Sequence, residues 1–242
     1  MVSWTSDITE QVMVTTADKP EVETTIRPES DADVSFREAD DPIELRLPPQ
    51  WRLTDDALFE LYELNASLNF ERTAEGDLVI VPSPHGPSPA MGPEISYQLV
   101  AWVKSGGGGE VRDASGGYKL GETPPPDQEE KQPVREPDVS WLSQEQLDGI
   151  AEEDYEEGLE VPCPRFVVEI ISAKQSVAPQ KRKMREWMSY GVQLGWLIDR
   201  RRDKAWIYRV GQVEPEELDR PAKLSGEDVL DGFELDCSEI WR

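Results

Sequence analysis

Apolar residues recur along this chain with two different periods, and each change of period marks an element. Phe166, Val167, Val168, Glu169, Ile170 and Ile171 form a nearly unbroken apolar run, mostly β-branched. Such a run predicts a strand covered on both faces. Val139, Ser140, Trp141 and Leu142 form a second short strand, preceded by Pro137 and Asp138. Segments 134–142 and 165–172 are expected to be neighbouring strands of one sheet. From 180 to 190 the period lengthens: Met184, Trp187 and Met188 share one face of an amphipathic helix. Segments 194–199 and 205–210 then predict two strands around the basic turn 200–204.

The first half alternates in the same way. Thr54 is placed to cap a helix, with Asp55 and Asp56 at its positive end. Leu58, Leu61 and Tyr62 line one face of it. Segments 68–73 and 78–82 flank Ala74, Glu75, Gly76 and Asp77, a hairpin signal. Pro93 suits a helix start, and Ile95, Leu99, Trp102 and Val103 recur at helical spacing behind it. Gly106 to Gly109 end that helix as a flexible turn; no Gly-Lys-Ser/Thr follows to make them a phosphate loop. Short strands are expected at 110–113 and 117–120, around a turn at Ser115, Gly116 and Gly117. The acidic stretch 143–162 reads as a short surface helix with a loop, and 123–131 as an exposed loop. The apolar residues of 224–235 close the domain.

Residues 1–47 are acidic, weakly periodic and broken by prolines, so they are expected to be a weakly ordered extension. Residues 48–242 form the folded domain, long enough to bury a sizeable core. Two cysteines, Cys163 and Cys237, make no disulfide framework and no C-x-x-C metal spacing. A reducing, cytoplasmic setting is expected. No apolar run is long enough for a membrane span, and a signal peptide's regions are not seen at the N-terminus.

The net charge of −25 opposes non-specific association with nucleic acid. The charge is uneven, however. From Arg165 to Lys223 there are 13 basic and 8 acidic residues. The single histidine, His85, sits in a proline-rich loop with no nucleophile beside it, which argues against a Ser-His-Asp hydrolase.

The candidate chemistry lies where acids are expensive. Glu169 interrupts the apolar run, and an ionised carboxylate there needs a partner, a metal ion or a raised pKa. Asp138 precedes the neighbouring strand. Two carboxylates on adjacent strands, with a lysine nearby, suit a divalent cation and attack on a phosphodiester. Lys181 and Lys183 flank the apolar stripe of the 180–190 helix on opposite sides, and either stem is long enough to reach round toward the sheet. The plainer reading is a solvated basic helix face and a structural acid.

Five stretches occur together in order: Glu71-Arg72-Thr73-Ala74-Glu75-Gly76-Asp77, Glu136-Pro137-Asp138-Val139-Ser140-Trp141, the run from Phe166 to Ser172, Lys183-Met184 with 191–199, and Leu224-Ser225-Gly226-Glu227-Asp228-Val229-Leu230-Asp231-Gly232-Phe233. The set resembles the Uma-two family of restriction endonucleases, a branch of the PD-(D/E)XK nuclease superfamily, over about residues 50–242. The resemblance implies a restriction-endonuclease-like α/β core, a central mixed sheet flanked by helices. It implies a magnesium-dependent endonuclease acting on DNA, working as a homodimer, with manganese as a possible substitute for magnesium. Asp138 and Glu169 match the two acids that bind the ion, with a backbone carbonyl at Ile170 as a further ligand. Glu71 matches the acid before the hairpin turn and completes the site. The standard motif has a lysine two positions after the second acid; here Ile171 stands there. The family pattern places the lysine on the next helix, which selects Lys183 over Lys181. Two other functions suit the same fold: a catalytically silent nucleic-acid- or protein-binding module, and a hydrolase of a smaller phosphodiester.

Overall fold

The computed structural model describes residues 41–51, 53–81, 90–114, 117–121, 132–151, 162–172 and 175–242. The chain divides into two units, 1–35 and 36–242, and all described residues belong to the second. His85, the loop expected at 123–131, and the stretch 152–161 lie outside the described residues.

In chain order the elements are β1 (Ile43–Leu45), α1 (Asp55–Leu64), β2 (Asn69–Arg72), β3 (Leu78–Val81), α2 (Met91–Trp102), β4 (Glu110–Asp113), β5 (Tyr118–Lys119), β6 (Val134–Arg135), β7 (Val139–Leu142), α3 (Gln144–Asp148), β8 (Phe166–Ile170), α4 (Val177–Ser189), β9 (Leu194–Asp199), β10 (Lys204–Arg209), β11 (Glu216–Asp219), β12 (Lys223–Ser225) and β13 (Glu234–Asp236). A six-stranded mixed sheet runs β11-β10-β9-β8-β7-β4. Its β8 and β9 are parallel, and its other pairings are antiparallel. A five-stranded antiparallel sheet runs β1-β3-β2-β6-β5. The central mixed sheet flanked by helices is the architecture expected of the sequence.

Strand parity sets the layers. Phe166 and Val168 of β8, with Leu194, Trp196 and Ile198 of β9, face a core completed by α2 and the C-terminal residues Leu230, Phe233, Leu235 and Trp241. Val167, Ile171 and Leu197 point the other way, into a core built with Met184 and Trp187 of α4. Glu169 shares the parity of Val167 and Ile171, so it faces α4. Helix α4 packs close because Gly195 has no side chain: a Cβ there would stand 2.5 Å from Met184 Cε. Each large apolar side chain buried in these layers contributes about 1.5–3 kcal/mol.

The two strands at 110–113 and 117–120 form, but not as partners. β4 joins the six-stranded sheet against β7, while β5 pairs with β6 in the other sheet. The expected single strand over 134–142 is likewise split: Val134–Arg135 belongs to the five-stranded sheet and Val139–Leu142 to the six-stranded one. Pro137 explains the break. It has no N–H for a ladder, and it holds the residue before it extended rather than turned. The chain therefore steps from one sheet to the other at Glu136, Pro137 and Asp138. Ile43–Leu45, inside the stretch expected to be an extension, pairs with β3 as an edge strand.

Local signals account for the rest of the frame. Thr54 caps α1 by accepting from the Ala57 N–H. Ser143 and Gln146 form a reciprocal capping box on α3. The buried Arg72 ties β2 to the start of α1, donating to the Leu53 carbonyl at 2.8 Å and to Asp55. Among the described residues no helix is long and apolar enough to cross a membrane.

Candidate active site

The step between the two sheets opens a cleft of about 500 Å³. Glu71, Asp138, Glu169, Ile170 and Lys183 all line it. The structure thus brings together every site residue read from the sequence. Lys181 is not among them: its ammonium lies 4.3 Å from the centre of the Trp206 ring, on the far edge of α4's apolar stripe.

Each position follows from its element. Glu71 lies on β2, whose hairpin with β3 buries one side of the strand; Glu71 is 2% exposed. Val139 stands opposite Val168 in the antiparallel register of β7 and β8. Continued one step outward, that register sets Asp138 beside Glu169. The Ile170 N–H confirms the closeness by donating to Asp138 Oδ2 at 2.6 Å. Lys183 comes from α4 and lies over the sheet face that carries Glu169.

Lys183 is the hub. Its Nζ lies 2.6 Å from the Glu136 carbonyl, 2.8 Å from Glu71 Oε1 and 3.0 Å from Glu169 Oε1. Trp187, one turn further along α4, donates Nε1–H to Glu169 Oε1 at 2.8 Å. Glu71 is also gripped from behind: Arg135 NH1 donates to its Oε2 at 2.9 Å, and the Glu136 N–H to its Oε1 at 3.1 Å. Arg135 reaches on to Glu186 of α4 at 2.6 Å. Tyr62 donates to Glu136 Oε1 at 2.6 Å.

These contacts divide the acids into two kinds. Burial alone would push the Glu71 carboxyl up, but Lys183 and Arg135 outweigh it and hold Glu71 below the usual carboxylate range. Burial, with the charges of Asp138 and Glu71, raises Glu169 to about 7 against the pull of Lys183. Asp138 is raised, chiefly by desolvation, against the pull of Lys183 and the Ile170 N–H. Glu136 is raised by burial as well. Burial would lower Lys183, yet Glu169 and Glu71 hold it well above the usual lysine value, so it stays charged.

Among the described residues no three His, Cys, Asp or Glu side chains converge as a ready metal cage. The donor chemistry nonetheless fits a divalent cation at two of the acids. Asp138 and Glu169 repel each other in a desolvated cleft, and positive charge between them would relieve both. Glu71 fits less well as a ligand, because both of its oxygens already accept from Arg135, Lys183 or Glu136.

Sequence reasoning missed Glu136, Arg135 and Gln180. Glu136 and Arg135 stand directly before Pro137 and Asp138, where only the sheet-to-sheet step reveals their role. Gln180 stands one helical turn before Lys183, and that spacing was the available signal. Trp187 was read as part of an apolar stripe, which it is; its indole N–H does a second job.

The family model of Uma2, described as "Putative restriction endonuclease", matches residues 55–238. A crystal structure from Anabaena variabilis ATCC 29413, described as that of "a putative nuclease belonging to DUF820", has a TM-score of 0.62 to this chain at 21% identity. The match covers 78% of this chain and 97% of that one. At that identity the likeness establishes a shared fold. No curated protein matches the chain.

Proposed function

Because this chain belongs to the Uma2 family, we propose that it is a magnesium-dependent endonuclease that hydrolyses phosphodiester bonds in DNA. The observation that carries the reading is the convergence of Asp138, Glu169 and Lys183 in one cleft, with Lys183 3.0 Å from Glu169.

Asp138 and Glu169 would hold the ion, with the Ile170 carbonyl beside them; magnesium suits such oxygen donors. Bound there, the ion makes water more acidic and offsets negative charge on phosphate. Lys183 brings a fixed positive charge to the place where charge develops in the transition state. Glu71 positions Lys183, and Arg135 positions Glu71. Trp187 holds Glu169 Oε1 from α4, limiting the orientations the carboxylate can take. Manganese shares the oxygen preference and is the expected substitute. The reading includes a homodimer as the working assembly, a cytoplasmic setting, and residues 48–242 as the catalytic domain.

A second reading has its own support. Lys183 is fully engaged by protein groups, as in a structural ion-pair network, and the overall charge is −25. That combination suits a binding module that keeps the fold without the chemistry. Incubation of supercoiled plasmid with the protein, with and without magnesium, decides between them. Nicking or linearisation that needs the metal and is lost in Asp138→Asn supports the nuclease. Intact plasmid at every metal tried, from a folded protein, supports the binding module.

A further inference from the structure

We propose that Gln180 is a substrate-contact residue whose side-chain amide donates a hydrogen bond to a non-bridging phosphate oxygen of nucleic acid lying in the cleft. The proposal rests on the nuclease reading above and adds the group that meets the phosphate.

Gln180 is only 7% exposed, yet it lines the cleft beside Lys183. It lies on the inner face of α4, one turn before Lys183 and Met184 and two before Trp187, so packing fixes the direction of its stem. Glu71, Glu136, Asp138, Glu169 and Lys183 all have hydrogen-bond partners within the protein. The Gln180 amide has no such partner among the described residues, and its polar atoms stay open to the cleft. The amide is not sealed off with the rest of the residue, so what fills the cleft meets it: water in the free protein, and ligand when ligand displaces that water.

The charge of the surroundings says which ligand atom it meets. A lysine or arginine beside Asp138 and Glu169 would be drawn into ion pairs, as Lys183 is. A neutral amide is not captured in that way, so its N–H groups stay free to donate. Non-bridging phosphate oxygens only accept hydrogen bonds, and they carry the negative charge that makes such a bond strong. Gln180 therefore supplies, next to Lys183, an uncommitted donor that Lys183, held by three protein oxygens, does not.

The test uses the full chain, Gln180→Leu, which removes the amide at similar size, and Gln180→Glu, which places an anion there. Gln180→Leu is expected to melt at or above the wild-type temperature, because no folded-state bond is lost. Its plasmid cleavage in magnesium should fall roughly a hundredfold, mainly through kcat. The wild-type Gln180 amide resonances should shift when a short DNA duplex is added with calcium in place of magnesium. Gln180→Glu should lose duplex binding. Three results each overturn the proposal: Gln180→Leu cleaving and binding like wild type, Gln180 resonances unmoved by the duplex, or activity loss that only tracks a lowered melting temperature. A wild-type chain that cuts nothing while its Gln180 resonances shift with duplex would sink the nuclease reading and support the phosphate contact. Normal cutting with unmoved resonances would do the reverse.

Discussion

Lys183 Nζ lies 3.0 Å from Glu169 Oε1, joining a helix to a strand on which that carboxylate would otherwise have no cation beside it. The pair bears on stability as well as on the proposed catalysis. Lys183→Ala is expected to lower cleavage by about a hundredfold or more. It should also destabilise the metal-free protein by about 3 kcal/mol, because Glu71 and Glu169 lose a buried cation. Lys181→Ala, which removes only the ammonium over Trp206, should keep most activity and stability. Paired cleavage assays and denaturant titrations check this; equal losses from both substitutions would mean a general basic surface.

The raised carboxyl of Glu169 predicts a pH dependence with a definite sign. Burial holds its pKa at about 7 in the folded protein, against 4.5 for an ordinary glutamate. Between those values the folded protein holds a proton that the unfolded chain has released. Stability from this group is therefore present at about pH 4.5 and is lost as pH rises through about 7. The change is at most on the order of 3 kcal/mol. Wild type should thus weaken relative to Glu169→Gln between pH 5 and pH 8 in denaturant titrations without metal. A constant difference across that range would contradict the assignment. Trp187→Phe, which deletes a donor to the ionised carboxylate, should move the transition to higher pH.

On the proposed reading magnesium binds the native pair of acids and not the unfolded chain, so it should stabilise the fold by mass action. At a hundred times its Kd the gain is about 2.7 kcal/mol. Thermal melts should rise with magnesium in wild type and stay flat in Asp138→Asn. A flat response in wild type would count against Asp138 and Glu169 as ligands.

Arg135 bridges Glu71 and Glu186 with different nitrogens, at 2.9 Å and 2.6 Å. Arg135→Met should cost about 3 kcal/mol, because two carboxylates on different elements lose their shared cation. Arg135→Lys should recover only part of this, since a single ammonium does not span both acids as the guanidinium does. Equilibrium unfolding measures both; full recovery by lysine would show that charge matters there and the bidentate geometry does not.

Much of this architecture is written in local periods. The alternation of the 166–171 run already places Glu169 with Val167 and Ile171, and the spacing of Met184, Trp187 and Met188 already turns α4 onto a sheet. The hairpin of β2 and β3 and the caps at Thr54 and Ser143 depend on neighbours within a few residues, so they are legible without a fold. What spacing left open was decided by contacts between distant segments. Lys181 and Lys183 flank the same stripe equally well; only packing against β8 and the β6–β7 step puts Lys183 on Glu169 and leaves Lys181 over Trp206. The break at Pro137 sends 134–135 and 139–142 to different sheets, and so turns Glu136 into a backbone bridge between Lys183 and Glu71. Periodicity places Tyr62 and Gln180 on a helix face but says nothing of what their polar ends meet, and Arg135 carries no periodic signal at all, because a polar side chain gains its role from whatever the tertiary fold sets opposite it: an acid, a carbonyl, or an open cleft.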